Sequence, residues 1–240
     1  MIRGVYVAAE GMAARQKAQD VLAANLANVN TSGFKADRPV FETALQRLLY
    51  RVEGAAAQPI GTLSAGARLT TTYTDLQPGT LIHTGNPLDV AIEGNGYFAI
   101  RTPAGVRYTR SGAFALNADG TLVTRQGFPV LGTQGEIRVP RHATLQISAD
   151  GAVLVDGKAV DRLLIVQGTL QKDADGWLVG NTTPVPNPRL TVGTLEGSNV
   201  NVVREMAEMI EHLRAYETHQ KAIQSQDETL ARAISEIARI

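Results

Sequence analysis

The chain has 240 residues, enough for one large domain or two small ones. Lys plus Arg and Asp plus Glu both number 23, so the formal net charge is zero. That argues against a partner gripped mainly through phosphates, nucleic acid above all, and leaves little self-repulsion against association. The sequence has no cysteine, which excludes disulfides, thiolate nucleophiles and Cys-based metal sites.

From Met1 to Ala14 the sequence reads MIRGVYVAAEGMAA, and Glu10 and Gly11 interrupt any apolar core. This is not the pattern of a Sec signal peptide. No run approaches the ~20 apolar residues that a membrane span needs. The expectation is a soluble chain without a membrane span, which uses another route if it leaves the cytoplasm.

The stretch from Ile2 to Val29 lacks proline and predicts a helix. Val5, Ala8, Met12, Leu22, Leu26 and Val29 fall on three- and four-residue steps, and Arg15 and Gln19 break the stripe in the middle. The helix should end near Asn30, where Thr31-Ser32-Gly33 supplies turn chemistry. A connector over 36–67 follows. Pro39 can open a short helix there, with Phe41, Leu45, Leu48 and Leu49 on its apolar face. The glycine-containing stretches from Gly54 to Pro59 and Gly61 to Gly66 read as linker.

Residues 68–197 carry short apolar runs, such as Leu88 to Ile92 and Leu163 to Val166, separated by turn formers. Asn95-Gly96, Asp119-Gly120, Asp150-Gly151, Asp156-Gly157 and Asp175-Gly176 are hairpin markers. They predict antiparallel strands in a sandwich or barrel-like domain, with a Pro-rich, extended return segment from Asn181 to Pro188. The last segment, 198–240, holds the strongest pattern. Val202, Met206, Met209, Leu213, Tyr216, Gln220, Ile223, Asp227, Leu230, Ile234 and Ile237 alternate four- and three-residue steps, a heptad seam that requires a helical partner. Asn199 or Asn201 can cap its start. Gln220 and Asp227 either set register within the seam or face solvent where the pairing loosens.

The fold class expected is therefore α+β. Terminal segments 1–35 and 198–240 form a coiled-coil layer around a central antiparallel β-rich domain.

Little in the chain suggests catalysis. His212 and His219 are seven apart on one helix, two turns rather than the one-turn spacing of a metal pair, and read as a solvated or interfacial face. His83 and His142 stand alone. Asp173-Ala174-Asp175-Gly176 begins like a calcium loop but lacks the later ligands, so it reads as a hairpin turn. Gly94-Asn95-Gly96 precedes a strand and not a helix, which removes the dinucleotide reading and leaves a tight turn. No Gly-x-Ser-x-Gly elbow, Walker loop or His-Glu-x-x-His motif is present. The expectation is a structural protein with no catalytic, cofactor-binding or metal site.

Several segments carry a resemblance. Asn25-Leu26-Ala27-Asn28-Val29-Asn30-Thr31-Ser32-Gly33-Phe34-Lys35 resembles the N-terminal signature of the bacterial flagellar rod and hook family. Glu196-Gly197-Ser198-Asn199-Val200-Asn201-Val202 is similar to that family's entry into its last helix. Asn86 to Ile92, Gly94 to Phe98 and Tyr108 to Phe114 match its middle, so the likeness spans nearly the whole chain. Within the family, the length, Thr84 to Asp89 and Gly193 to Gly197 look most like the proximal-rod F type. Met1 to Arg3 and Arg214 to Glu217 have the flavour of the distal-rod G type.

The resemblance implies a subunit of the flagellar basal-body rod, the axial drive shaft that carries torque across the periplasm. It implies export through the flagellar apparatus without a cleaved signal. The partners it implies are other rod subunits of the same and neighbouring types, surrounding ring proteins and the export apparatus. The residues expected to carry assembly are Val5, Met12, Leu22, Leu26, Asn28, Val29 and Phe34 at the first end. At the other end they are Asn199 and the apolar seam Val202, Met206, Met209, Leu213, Tyr216, Ile223, Leu230, Ile234 and Ile237.

Overall fold

A computed structural model describes residues 2–53, 56–140, 143–173 and 175–237. The chain divides into two compact units. Unit 1 holds the N-terminal segment to Ala27, Asp37–Tyr73 and the C-terminal segment from Asn201. Unit 2 holds Asn28–Ala36 and Thr74–Val200.

In unit 1 the first helix, α1, spans Ile2–Ala27 and the last, α2, spans Val202–Ile237. Alanine-rich and free of proline, α1 has high intrinsic helix propensity. At 1.5 Å per residue, the 36 residues of α2 reach about 54 Å. Asn201 is its cap: its side-chain oxygen accepts the N–H of Arg204 at 3.1 Å. The two helices run antiparallel along each other, with Gly4 against Gln226 at one end and Asn25 bonded to Glu205 at the other.

The rest of unit 1 differs from the sequence expectation. The short helix expected from Pro39 is instead part of a strand, β1 (Asp37–Glu53), and the expected linker is its partner, β2 (Ala56–Thr74). The pair stands as a two-stranded ribbon. A ribbon of two strands leaves each with an outer edge, where Pro39 and Pro59 need no N–H to donate. The side chains of Leu45, Leu48 and Leu49, and the residues Gly54 and Ala55, lie outside the described residues.

Unit 2 is a set of short strands. They are β3 (Leu81–His83), β4 (Val90–Glu93), β5 (Tyr97–Thr102), β6 (Gly105–Thr109), β7 (Phe114–Leu116) and β8 (Leu122–Thr124). Then come β9 (Leu145–Ile147), β10 (Ala152–Val155), β11 (Lys158–Arg162), β12 (Ile165–Lys172), β13 (Leu178–Pro184), β14 (Arg189–Val192) and β15 (Thr194–Glu196). The pairings described between them are antiparallel, and β12, β13, β6 and β5 close into a small barrel. Strands β14 and β15 return to pair with β4 and β3, which brings the two ends of the unit together.

Four of the five expected turn dipeptides close hairpins: β7–β8, β9–β10, β10–β11 and β12–β13. At β10–β11, Asp156 and Gly157 both take positive φ, as a type I′ turn requires. Asn95-Gly96 does not close one, because β4 pairs with β14 while β5 pairs with β6 and β12. The core lies between these strands. Phe98, Ile100, Leu122, Val130 and Val153 are fully buried, and Phe98 meets Phe114 edge-on at 5.0 Å.

Candidate functional site

The surfaces that could carry function are the paired helices of unit 1 and the buried junction where the chain enters and leaves unit 2. In unit 1, α1 presents a narrow seam: Ala8, Ala14 and Ala18 are buried, with Leu22 and Asn25 at its C-terminal end. The seam receives large polar side chains from α2. A methyl built on Gly4 would lie 2.4 Å from the Gln226 amide, and one on Gly11 would lie 2.9 Å from the His219 ring. His212, further along α2, is hydrogen-bonded by Arg15 at 2.8 Å and packs 5.8 Å from the Phe41 ring. Arg15 can only donate, so His212 Nδ1 accepts and the ring is neutral. Burial first, and then the Arg15 charge, hold its pKa below the ordinary 6.5.

At the end of this seam Glu205 is fully buried and Asn25 nearly so. Asn25 donates to the Asp37 carbonyl at 2.8 Å and to Glu205 at 3.0 Å, and accepts the Asp37 N–H at 2.9 Å. Arg38 completes the set by donating to Glu205 at 2.6 Å. A buried carboxylate is tolerated only when neighbours satisfy it in this way.

The apolar seam expected on α2 divides between two directions. Val202, Met209, Tyr216, Ile223 and Leu230 are half-buried. Met206, Leu213 and Ile234 are exposed, as are Gln220 and Asp227, so in this chain the two polar residues face outward and do not sit in the seam. With Val203 and Ile210 they show an apolar stripe at three- and four-residue steps: Val203, Met206, Ile210 and Leu213 are 78%, 48%, 54% and 48% exposed. Single exposed apolar residues are ordinary, but four in register on one helix face are not. On α1, Leu22 is fully buried and Val5, Met12 and Leu26 are half-buried. The side chain of Ile237 lies outside the described residues.

In unit 2 the junction is built on three charged groups far apart in sequence. Lys35, Arg110 and Glu196 are 2%, 5% and 1% exposed. Glu196 accepts from Lys35 at 2.6 Å, from the Gly79 N–H at 2.9 Å and from Arg110 Nε at 2.5 Å. Arg110 also donates to the carbonyls of Ile92, Gly94 and Gly96, so the Gly94-Asn95-Gly96 loop is a carbonyl cradle for a guanidinium. Burial alone would raise the Glu196 pKa, but the bonds from Lys35, Gly79 and Arg110 outweigh it and hold the carboxyl below its usual range. Burial of Lys35 outweighs the pull of Glu196 and lowers that ammonium.

The turn that delivers Lys35 needs Gly33, which takes φ +69° directly against the Arg110–Ser111 backbone. Phe34 is half-buried beneath Lys172, whose Nζ lies 4.2 Å from the ring centre. Asn28 and Val29 are half-buried in the same segment. Asn199 accepts the Ala36 N–H and donates to the Asp75 carbonyl, each at 2.8 Å, so it ties three strands of chain together and is not the helix cap. A cleft of about 570 Å³ beside the turn is lined by Phe34, Ile82, Tyr108, Lys172, Trp177 and Leu195 among others.

Sequence reasoning quoted Lys35, Arg110 and Glu196 inside motifs but did not join them. The sequence places His212 and His219 on a solvated or interfacial face and Asn25 within a motif, but apolar spacing on α2 gives no sign of Gly4, Gly11, Glu205 and Gln226 as seam residues. The seven-residue step from His212 to His219 was the available signal. Among the described residues no group of His, Asp or Glu is placed to hold a metal ion. Asp173 is engaged instead with Arg107 at 2.7 Å and with the N–H groups of Asp175 and Trp177, which fits a hairpin turn. His142 lies outside the described residues. The buried charges engage one another, an arrangement suited to holding backbone in place.

Comparisons with known proteins bear on the same segments. Residues 5–35 match the model of the flagella basal body rod protein family. Residues 91–155 match the flagellar hook protein FlgE/F/G D1 domain, and 191–236 match the flagellar basal body rod FlgEFG protein C-terminal family. The chain is 33% identical to the flagellar basal-body rod protein FlgF of Caulobacter vibrioides, over all of both chains. It is 34% identical to FlgF of Escherichia coli, covering 97% of each. It is 33% identical to FlgG of Buchnera aphidicola from Acyrthosiphon pisum, covering 96% of this chain and 98% of the relative.

Proposed function

Because the chain belongs to the flagellar basal-body rod protein family and is a structural rod subunit, we propose that it polymerises through the outward face of α2. The supporting observation is the stripe Val203, Met206, Ile210 and Leu213, which none of the described residues covers. Full burial of such a side chain contributes roughly 1.5–3 kcal/mol, so covering the exposed half of four contributes about 4 kcal/mol per interface. Repeated along an open helical array, contacts of that size sum to a stable shaft. Its partners are rod subunits of its own and neighbouring types, with ring proteins and the export apparatus met on the way to and around the rod.

Within the family we place it with the proximal-rod F type. Thr84 to Asp89 and Gly193 to Gly197 support this, while relatives of both F and G type align with it at about 33% identity. As such it stands in the periplasmic part of the drive shaft, reaches it without a cleaved signal, and passes torque through its packed helices. Among the described residues no helix is long and apolar enough to cross a membrane.

The test is Leu213→Asp. Leu213 is 48% exposed, so the purified subunit should keep its helix content, while rod incorporation and swimming are lost. Normal incorporation of a correctly folded variant removes the stripe from the assembly surface. Localisation of the labelled subunit in isolated basal bodies tests the proximal assignment, and a position next to the hook overturns it.

A further inference from the structure

The seam between α1 and α2 contains a second seven-residue column that the apolar pattern hides. On α2 it reads Glu205, His212, His219 and Gln226; on α1 it reads Gly4, Gly11, Ala18 and Asn25. The columns meet in antiparallel order. Gln226 lies on Gly4, His219 on Gly11, and Glu205 on Asn25, so each step of seven up one helix is a step of seven down the other. Between these, Ala18 is fully buried and His212 nearly so, and Arg15, one turn before Ala18, bonds His212.

We infer that this column is the specificity device of the subunit: it fixes α1 on α2 in one register and makes neighbouring registers unfavourable. Two observations carry the inference. First, the fit is steric. Glycine at positions 4 and 11 leaves room for a side chain that a methyl group would displace. Sliding one helix by a heptad in one direction sets His212 against Asn25, bulk on bulk. Sliding it the other way takes Glu205 from Asn25 and leaves a buried carboxylate short of a partner. Second, the column is not built for stability. Among the described residues Gln226 Oε1 is buried without a hydrogen-bond partner, a cost that leucine at the same position would not carry. A polar seam residue retained at a cost in stability is how paired helices specify register. In a shaft packed with identical helices, where the rod reading places this chain, alternative pairings are numerous. A column that accepts one of them keeps each subunit's own hairpin intact.

Because the chain has no cysteine, introduced pairs report register directly, and the isolated subunit suffices. Gly4→Cys with Gln226→Cys reports the observed register, and Gly4→Cys with Ala233→Cys reports one heptad away. In the otherwise native chain the first pair should oxidise within one chain about tenfold faster or more, equivalent to ~1.4 kcal/mol of preference. Adding His212→Ala and His219→Ala, which removes the bulk that Gly11 seats and that would meet Asn25 in the displaced register, should bring the two rates to within about threefold, ~0.6 kcal/mol. An unchanged preference in that background overturns the inference. So does failure of both pairs to close in a subunit whose Trp177 fluorescence shows unit 2 folded, because a register column must hold the pairing it specifies. Loss of swimming with normal cross-linking touches the rod reading alone.

Discussion

Replacing Glu196 with glutamine changes one oxygen to nitrogen and removes the carboxylate charge that Lys35 and Arg110 share at that junction. The three side chains are at most 5% exposed, so water cannot take over the lost contacts. An amide offers one acceptor where the carboxylate offered two, and its NH2 must point at Lys35 or Arg110, both donors. Removing one partner of a buried ion pair costs roughly 3–5 kcal/mol. With a denaturant slope of about 2 kcal/mol per molar urea, a loss of about 4 kcal/mol lowers the unfolding midpoint by about 2 M. The single tryptophan, Trp177, packs edge-on against Phe128 at 5.6 Å within unit 2 and reports this unfolding, while far-UV circular dichroism follows the helices of unit 1.

The pH dependence gives the sharper check. Glu196 has its pKa held below the ordinary 4.5, so its contribution is complete above that value and disappears as pH falls through the folded value. Lys35 already titrates below its ordinary 10.5, and losing Glu196 lowers it further. The variant therefore recovers stability as pH rises from the folded Lys35 value towards 10.5, because the unfolded chain binds more protons there. The gap between native and variant chains should be widest near neutral pH and close on both sides. A midpoint shift below about 0.5 M at neutral pH, with the slope unchanged, would refute the view that this triad holds the junction.

Two further outcomes follow from the same geometry. Gly33→Ala should destabilise unit 2 by more than the ~1–2 kcal/mol of a left-handed alanine, because the new methyl would lie 2.2 Å from the Ser111 nitrogen; the Trp177 urea midpoint measures it. Acid should loosen the paired helices through His212, which faces Arg15 from α1, Glu208 and Glu211 from its own helix, and the uncharged Phe41 from β1. Its folded pKa lies below the ordinary 6.5, so its contribution is complete above 6.5 and is lost as pH falls through the folded value. Circular-dichroism urea midpoints taken from about pH 8 to about pH 5 should fall in the native chain and flatten in His212→Gln; parallel slopes in both chains count against the histidine.

The heptad of α2 shows what was legible and what was not. Its periodicity gave the helix, its length and the need for helical neighbours. It could not say that Met209, Tyr216, Ile223 and Leu230 turn partly inward while Met206, Leu213 and Ile234 face outward. That split is decided by α1, whose glycines and alanines admit polar bulk and rotate the contact off the apolar stripe. Pro39 misled for a related reason. A proline fits the first turn of a helix and the outer edge of a two-stranded ribbon equally well, and only the partner strand Ala56–Thr74 distinguishes them. The triad Lys35, Arg110 and Glu196 was visible as three motifs, yet the pairing of residues 161 apart is a property of topology and leaves no local signal.

The same seam explains how unit 1 divides specificity from stability. Among the described residues its fully packed apolar side chains are Ala8, Ala14, Ala18 and Leu22, whereas the β unit buries Phe98, Ile100, Leu122 and many more. Alanines bury little area, so the hairpin gains little from the hydrophobic effect on its own. What holds its ends in place is the hydrogen-bonded set Asn25, Glu205 and Arg38 at one end and the steric seat of Gln226 on Gly4 at the other. The apolar area missing from the seam is found on the outer face of α2, where Val203, Met206, Ile210 and Leu213 are exposed. If that face is the assembly surface proposed above, a chain built this way settles the register of its own helices through the seven-residue column and gains the rest of their stability from neighbouring subunits.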